Sequence, residues 1–140
     1  MRGETTLVCD ASVVHAALNP RDSNHDGCIA LLASSPSTTI PAPVIVEVDW
    51  LARSRGVAGA TDDLLESIDD GSVSVVDLDL EDYARTRVLL RTYEDLGLEF
   101  VDAAVVAVAE RLEQTRVATL DRRHFSVVKP LHCERFTLVP

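Results

Sequence analysis

The sequence predicts an α/β protein built on a parallel β-sheet with helices on both faces. Two observations support this fold class. Five short runs are rich in β-branched residues, and segments of helical character lie between them. Strands buried on both faces have this composition, and strands that alternate with helices form parallel sheets.

The five predicted strands share a length of three or four residues and a bias toward Val, Ile and Thr. The first strand stops at Asp10, an acid that is costly to bury without a partner. In chain order the strands are Thr6–Cys9, Thr38–Ile40, Val73–Val76, Val117–Leu120 and Phe136–Val139.

The predicted helices are bounded by residues that start or stop a helix. Asp22 and Ser23 are candidate N-caps, Pro41 and Pro43 open another helix, and glycines follow several helix ends. In chain order the helices are Ala11–Leu18, a helix from Asp22 or Ser23 to Ala33, a helix from Pro41 to Arg55, Asp62–Asp69, Leu80–Asp95 and Asp102–Gln114.

Length and composition fit a single domain over residues 1–140. The 140 residues are 46% hydrophobic and 26% charged, as in an ordinary globular protein. The longest strictly apolar stretch, Ala103–Ala109, is too short to cross a membrane, and the N-terminus has no features of a signal peptide. We therefore expect a cytoplasmic protein without a membrane partner.

The charge is distributed unevenly along the chain. A net charge of −10 argues, at face value, against a nucleic-acid partner. However, residues 61–82 contain nine acids and no base, whereas residues 111–135 contain six basic residues against three acids. The C-terminal quarter is thus compatible with a polyanion, and the alternative is that both segments are solvated surface.

Two of the predicted strands end in an acid. Asp10 closes the first strand and Asp121 closes the fourth. Ligands of parallel α/β sheets bind outside the carboxyl ends of the strands, so these two side chains are expected to meet if their strands are neighbours.

Two further acids stand on helices at positions that need an explanation. Glu47 falls inside the apolar stripe formed by Val44, Val48 and Leu51, and the alternative to a functional role is a rim position that reaches water. Asp102 begins an apolar helix, where the alternative is an ordinary capping role.

Four converging carboxylates would raise one another's pKa values unless a cation lay among them. All-oxygen ligation suits Mg²⁺ or Mn²⁺, and such a site can activate a water and hold the leaving oxygen of a phosphodiester. We expect Ser12 to orient a ligand or a bound water, with an N-cap of the first helix as the alternative.

Four motifs together resemble the PIN-domain family, and within it the VapC-type toxins of bacterial toxin–antitoxin pairs. They are "VCDAS" at 8–12, "VIVEVDWL" at 44–51, "LEFVDAAVVAVAERL" at 98–112 and "VATLDRRHFSVVKP" at 117–130. The resemblance implies a three-layer PIN-like fold whose five-stranded parallel sheet has the order 3-2-1-4-5.

The resemblance also implies an activity, a set of site residues and partners. The expected protein is an Mg²⁺- or Mn²⁺-dependent endoribonuclease with Asp10, Glu47, Asp102 and Asp121 as catalytic acids, and Ser12 as the supporting polar residue. Asp10 and Asp102 are the predicted metal ligands. The expected partners are RNA, a second copy of the chain in a homodimer, and a small antitoxin that lies across the active site.

The segment after Asp121 provides basic side chains. We predict that Arg122 and Arg123, together with His124, bind RNA phosphates beside the metal. The alternative is that the two arginines are a solvated pair and that His124 packs or caps. His15 and His25 are expected on helix surfaces.

Two alternatives to a nuclease remain. A phospho-receiver signalling domain also gathers acids around Mg²⁺, but it needs an acid pair at the first strand and a lysine at the end of the last. Here the first strand ends in the single Asp10, and Lys129 stands outside any strand. An inactive PIN scaffold that only binds partners is the second alternative, and the intact set of four acids counts against it.

Overall fold

The structure is a computed structural model, and it describes residues 5–140. Its five strands are β1 (Leu7–Cys9), β2 (Thr38–Pro41), β3 (Ser74–Val76), β4 (Arg116–Ala118) and β5 (Thr137–Val139). All neighbouring strands are parallel, and their order in the sheet is β3-β2-β1-β4-β5. The predicted fold class and strand order are confirmed.

Helices connect the strands. They are α1 (Ala11–Leu18), α2 (His25–Ser34), α3 (Ala42–Ser54), α4 (Ala60–Asp69), α5 (Leu80–Thr92), α6 (Phe100–Arg111) and α7 (Arg122–Phe125), with a 3-10 turn at Glu94–Leu96. None of the helices within residues 5–140 is long and apolar enough to span a membrane.

The central strand β1 shows that helices cover both faces of the sheet. Successive side chains of a strand point to opposite faces, yet Leu7, Val8 and Cys9 are all buried. In register, Val8 lies opposite Thr39 of β2 and Val117 of β4, so β1 is also covered along both edges.

Side-chain hydrogen bonds account for several differences between predicted and observed element ends. Strand β4 ends at Ala118 and not at Leu120, because the N–H of Leu120 donates to the hydroxyl of Ser12 (2.9 Å). Helix α2 begins at His25 and not near Asp22, because Asp22 forms a turn by accepting from the N–H of Asn24 (2.8 Å).

Two helical segments differ from the prediction in extent. The helix predicted from Leu80 to Asp95 ends at Thr92 and continues only as the 3-10 turn. Helix α6 begins at Phe100, two residues before the predicted start at Asp102. The short helix α7 was not predicted.

Candidate active site

A cleft of about 570 Å³ lies at the carboxyl-terminal edge of the sheet, where β1 and β4 run side by side. Asp10 follows β1 directly, and Asp121 follows β4 after two intervening residues. Glu47 of α3 and Asp102 of α6 line the same cleft. The structure therefore brings together all four acids that the sequence singles out.

Asp10 is held by hydrogen bonds to both of its carboxylate oxygens. Oδ1 accepts from the N–H of Ala11 (2.8 Å), and Oδ2 accepts from the hydroxyls of Ser12 (3.0 Å) and Thr119 (2.9 Å). The residue is only 5% exposed. Burial raises the pKa of Asp10, the three hydrogen bonds oppose this rise, and the charge of Asp121 adds to it. The carboxylate is thus rigid, buried and short of positive charge.

Asp121 is the N-cap of α7 and forms a close pair with His124. Its Oδ1 accepts from the N–H of His124 (3.2 Å), and its Oδ2 lies 2.6 Å from His124 Nδ1. The N–H of Asp121 itself donates to Thr119 Oγ1 (2.9 Å). Nε2 of His124 lies 3.2 Å from the carbonyl oxygen of Leu96, so both ring nitrogens have contacts that fix the imidazole plane.

Asp102 lies in the first turn of α6 and faces the same histidine. Its Oδ2 accepts from the N–H of Glu99 (3.3 Å) and lies 3.8 Å from His124 Nδ1. Burial and the nearby charge of Asp10 raise the pKa of Asp102 to about 6. The capping contact that the sequence allowed as an alternative is present, and the same side chain also lines the cleft.

Glu47 lies on α3 between the buried residues Val44 and Val48 and is itself half-buried. Burial raises the pKa of Glu47, and the charges of Glu99 and Asp10 raise it further. Within residues 5–140, no hydrogen bond or ion pair reaches its carboxylate. Of the four acids, Glu47 therefore has the least local compensation of its charge.

Three donor atoms are close enough together to hold a metal ion. Asp102, Asp121 and His124 each offer one such atom, and these atoms lie within 4.8 Å of one another. Asp10 joins this group through Thr119, which contacts both Asp10 and Asp121. The assignment of Asp10 and Asp102 as metal ligands stays a prediction. His124 is a possible metal ligand that the sequence did not suggest.

Ser12 supports Asp10 but does not cap α1, because Asp10 occupies the N-cap position. The Ser12 hydroxyl donates to Asp10 Oδ2 and accepts from the N–H of Leu120. It therefore links the segment after β4 to the first turn of α1.

Arg122 and Arg123 do not line the cleft. Arg122 Nη2 donates to the carbonyl oxygens of Leu138 (3.5 Å) and Pro140, and Arg123 Nη2 lies 3.2 Å from His124 Nε2. Their binding to RNA stays a prediction, and the two side chains lie outside the set of residues that line the cleft.

Sequence reasoning missed Thr119 and misplaced His15. Thr119 is buried and its hydroxyl joins two acids, yet a threonine near a strand end gives no distinctive signal. The expectation that His15 is a surface residue is wrong: it is 1% exposed, because α1 packs against α2, α3 and α4 at once. His25 is half-buried, with Nδ1 2.9 Å from the carbonyl oxygen of Ala16.

The fold and the acidic cleft agree with a comparison against known families. The PIN domain family model matches residues 7–130, and the chain belongs to this family. Ribonuclease VapC26 of Mycobacterium tuberculosis (strain ATCC 25618 / H37Rv) is 27% identical over 135 residues, which cover 96% of this chain and all of that protein.

Solved structures share the fold at lower sequence identity. VapC20 of Mycobacterium tuberculosis, described as a sarcin-ricin loop cleaving toxin, has a TM-score of 0.80 at 20% identity, covering 91% of this chain and 98% of that one. VapBC2 from Rickettsia felis, bound to a DNA fragment from its promoter, has a TM-score of 0.70 at 13% identity, covering 97% of this chain and 100% of that one.

Proposed function

We propose that this protein is a divalent-cation-dependent endoribonuclease and the toxin of a toxin–antitoxin pair. The observation that carries the proposal is the convergence of Asp10, Glu47, Asp102 and Asp121 in one cleft. Within residues 5–140, no arginine or lysine forms an ion pair with any of the four. The similarity to a protein named ribonuclease VapC26 supports the same activity.

The donor set fits Mg²⁺ or Mn²⁺. Carboxylate oxygens predominate, and Asp102, Asp121 and His124 place their donors within reach of one ion. When bound, such a cation neutralises the acids, polarises a phosphodiester and lowers the pKa of water. Because His124 Nδ1 already contacts Asp121 Oδ2 (2.6 Å), we assign the histidine to orienting that carboxylate and the carboxylate oxygens to the cation.

The side chains of the cleft divide into fixed and free acids. Asp10 and Asp121 are held rigidly by hydrogen bonds, which suits groups that position a cation. Glu47 has no partner in the described part of the chain, and burial raises its pKa. We assign to Glu47 the role of accepting a proton from the attacking water, because its carboxylate is available and its raised pKa makes it a better proton acceptor than an ordinary glutamate.

The proposed partners are RNA, a small antitoxin and a second copy of the chain. Solved relatives of the same fold include a toxin–antitoxin complex from Klebsiella pneumoniae. Tyr83 lines two adjoining surface grooves, one with Val46 and the other with Phe100, and all three side chains are exposed. Exposed apolar groups that adjoin in this way are typical of protein interfaces, and we assign this surface to the homodimer.

Cleavage of a labelled single-stranded RNA tests the proposed function. We expect cleavage in Mg²⁺ or Mn²⁺, none in EDTA, and a loss of at least about a hundredfold in Asp10→Asn. Asparagine still caps α1, so this variant is expected to keep its fold, as checked by its melting temperature. Cleavage that persists in EDTA, or an Asp10→Asn variant as active as wild type, would contradict the proposal.

The same assay tests the alternative that the protein is an inactive PIN scaffold. Such a scaffold would cleave no RNA in Mg²⁺ or in Mn²⁺ but would still bind its antitoxin. A receiver domain is not supported, since the chain belongs to the PIN domain family.

A further inference from the structure

The cleft continues beyond the four acids, along helices α1 and α3. Glu47, Leu51 and Arg55 line it at intervals of four residues, which is one face of α3 and its immediate C-terminal continuation. Eight residues of helix correspond to about 12 Å along the axis, so Arg55 lies well beyond Glu47. On α1 the cleft likewise extends from Asp10 to His15.

Among residues 5–140, Arg55 is the only arginine or lysine that lines the cleft, and six acids line it as well. No hydrogen bond or ion pair from within residues 5–140 engages its guanidinium, although Asp22 lines the same end. The carboxylate of Asp22 instead accepts from the N–H of Asn24 (2.8 Å). The guanidinium of Arg55 is therefore available to a ligand.

The backbone of Arg55 is fixed while its side chain remains free. Its N–H donates to the carbonyl oxygen of Leu51 (3.0 Å), and Arg21 Nη2 donates to the carbonyl oxygens of Arg55 (3.1 Å) and Gly56 (3.4 Å). Gly56 has a φ of 65°, the left-handed conformation that ends the helix. A cation at a helix C-terminus is also favoured by the helix dipole.

His15 provides a second, independent sign of a polar ligand at this end. It lines the cleft, it is 1% exposed, and neither ring nitrogen has a hydrogen-bond partner within residues 5–140. A buried imidazole without a partner is unfavourable, and a ligand or its bound water in the cleft would supply one.

We propose that Arg55 binds a backbone phosphate of the RNA, at the end of the cleft away from Glu47, and so positions the chain for cleavage at the four acids. This inference rests on the proposed function. The separation of Arg55 from Glu47 implies that its phosphate is not the one being cleaved. The positive charge of Arg55 thus reduces the repulsion between the polyanionic RNA and the acids that line the rest of the cleft.

The test is a titration of a short fluorescent single-stranded RNA in the Asp10→Asn background, at several salt concentrations. Arg55→Ala is expected to raise the Kd about tenfold and to reduce the salt dependence by about one phosphate contact. Arg55→Lys keeps the charge, so the salt dependence is expected to return. The matched control is Arg53→Ala: this neighbouring arginine pairs with Asp49 (3.1 Å) outside the cleft and is expected to leave both quantities unchanged.

Steady-state cleavage with otherwise wild-type protein provides the second readout. Arg55→Ala is expected to raise KM by about the same factor and to change kcat little, because Arg55 lies away from the reacting phosphate. Arg55→Ala and Arg53→Ala variants with equal Kd and equal salt dependence would overturn the inference. The inference would also be overturned if Arg55→Ala weakened binding of the antitoxin and left RNA binding unchanged, because this surface would then serve a protein partner.

The two proposals fail in different ways. A wild-type protein that cleaves no RNA in either metal contradicts the proposed function. The RNA titration still decides whether Arg55 binds phosphate.

Discussion

Among single residues, Glu47 is expected to lower the stability of the protein while serving its proposed activity. It lies within an apolar helix stripe, it faces the charges of Glu99 and Asp10, and nothing in the described chain offsets its own charge. Such a residue is expected to cost stability in the metal-free protein, because a partly buried carboxylate without a partner is unfavourable.

Glu47→Gln keeps the shape of the side chain and removes its charge. In EDTA at neutral pH, we expect the variant to be as stable as wild type or more stable, by on the order of 1 kcal/mol. RNA cleavage in Mg²⁺ is expected to fall by at least about a hundredfold. The control is Glu66→Gln, an exposed change on α4 that is expected to alter neither quantity. A Glu47→Gln variant that is fully active, or one that unfolds, would remove Glu47 from the site.

Asp102 makes the metal-free protein sensitive to pH. Burial and the charge of Asp10 raise its pKa from 3.8 to about 6, so the folded state holds this proton more tightly than the unfolded chain does. The stabilisation is complete below the unfolded pKa and is lost as the pH rises through the folded pKa. The melting temperature in EDTA is therefore expected to be higher near about pH 5 than near about pH 7.

Asp102→Asn provides the comparison for this pH dependence. The variant lacks the titrating group, so the difference between its two melting temperatures is expected to be smaller than that of wild type. An identical difference in both proteins would show that Asp102 does not contribute.

Among the elements, hydrogen bonds join two segments of the site. One lies between β4 and α7, and the other is the turn between β1 and α1. Thr119 joins them, since its hydroxyl donates to Asp10 Oδ2 and accepts from the N–H of Asp121. Thr119→Val removes both hydrogen bonds at nearly constant shape, and we expect the free energy of unfolding to fall by about 1–3 kcal/mol.

Thr86 of α5 is the matched control for Thr119. It is equally buried, but its hydroxyl has no hydrogen-bond partner within residues 5–140. Thr86→Val is therefore expected to be neutral or stabilising by up to about 1 kcal/mol in chemical denaturation. Equal losses of stability in the two variants would contradict the role given to Thr119.

The elements also show what the sequence can and cannot predict. The parallel sheet follows from short runs rich in β-branched residues that alternate with helices, and Asp10 and Asp121 are visible as acids at the ends of two such runs. The strand order came from the resemblance to the PIN family. The exact ends of the strands are harder to predict from the sequence. The hydroxyl of Ser12, for example, ends the β4 ladder although it lies more than 100 residues away in the chain.

Other features left no pattern in the sequence. Helix α7 has four residues, too few to show a helical period, and His124 enters the site only because that short helix forms. His15 is buried by three helices at once, which depends on tertiary packing and not on the periodicity of α1.

At the scale of the whole molecule, the two grooves that share Tyr83 predict how two copies of the chain assemble. Val46, Tyr83 and Phe100 are 72%, 51% and 43% exposed. We expect the protein to have twice the 15.2 kDa chain mass by light scattering, and Tyr83→Asp to reduce this to the monomer mass, because a buried unpaired charge opposes association. Leu131→Asp, a change at a 75% exposed apolar residue outside both grooves, is expected to leave the dimer intact. A wild-type monomer, or a dimer that Tyr83→Asp does not weaken, would contradict this assignment.

The hydrogen bond from Thr119 to Asp10 spans 109 positions of the chain. During translation, Asp10 leaves the ribosome early, but β4, Thr119 and Asp121 are made only when most of the protein has been synthesised. A nascent chain that stops before Arg116 lacks both β4, one of the two strands that flank β1, and Asp121, one of the four acids. For a protein with the proposed ribonuclease activity, we expect this order of synthesis to keep the growing chain inactive until β4 and Asp121 have been made, while it is still beside the RNA of the ribosome.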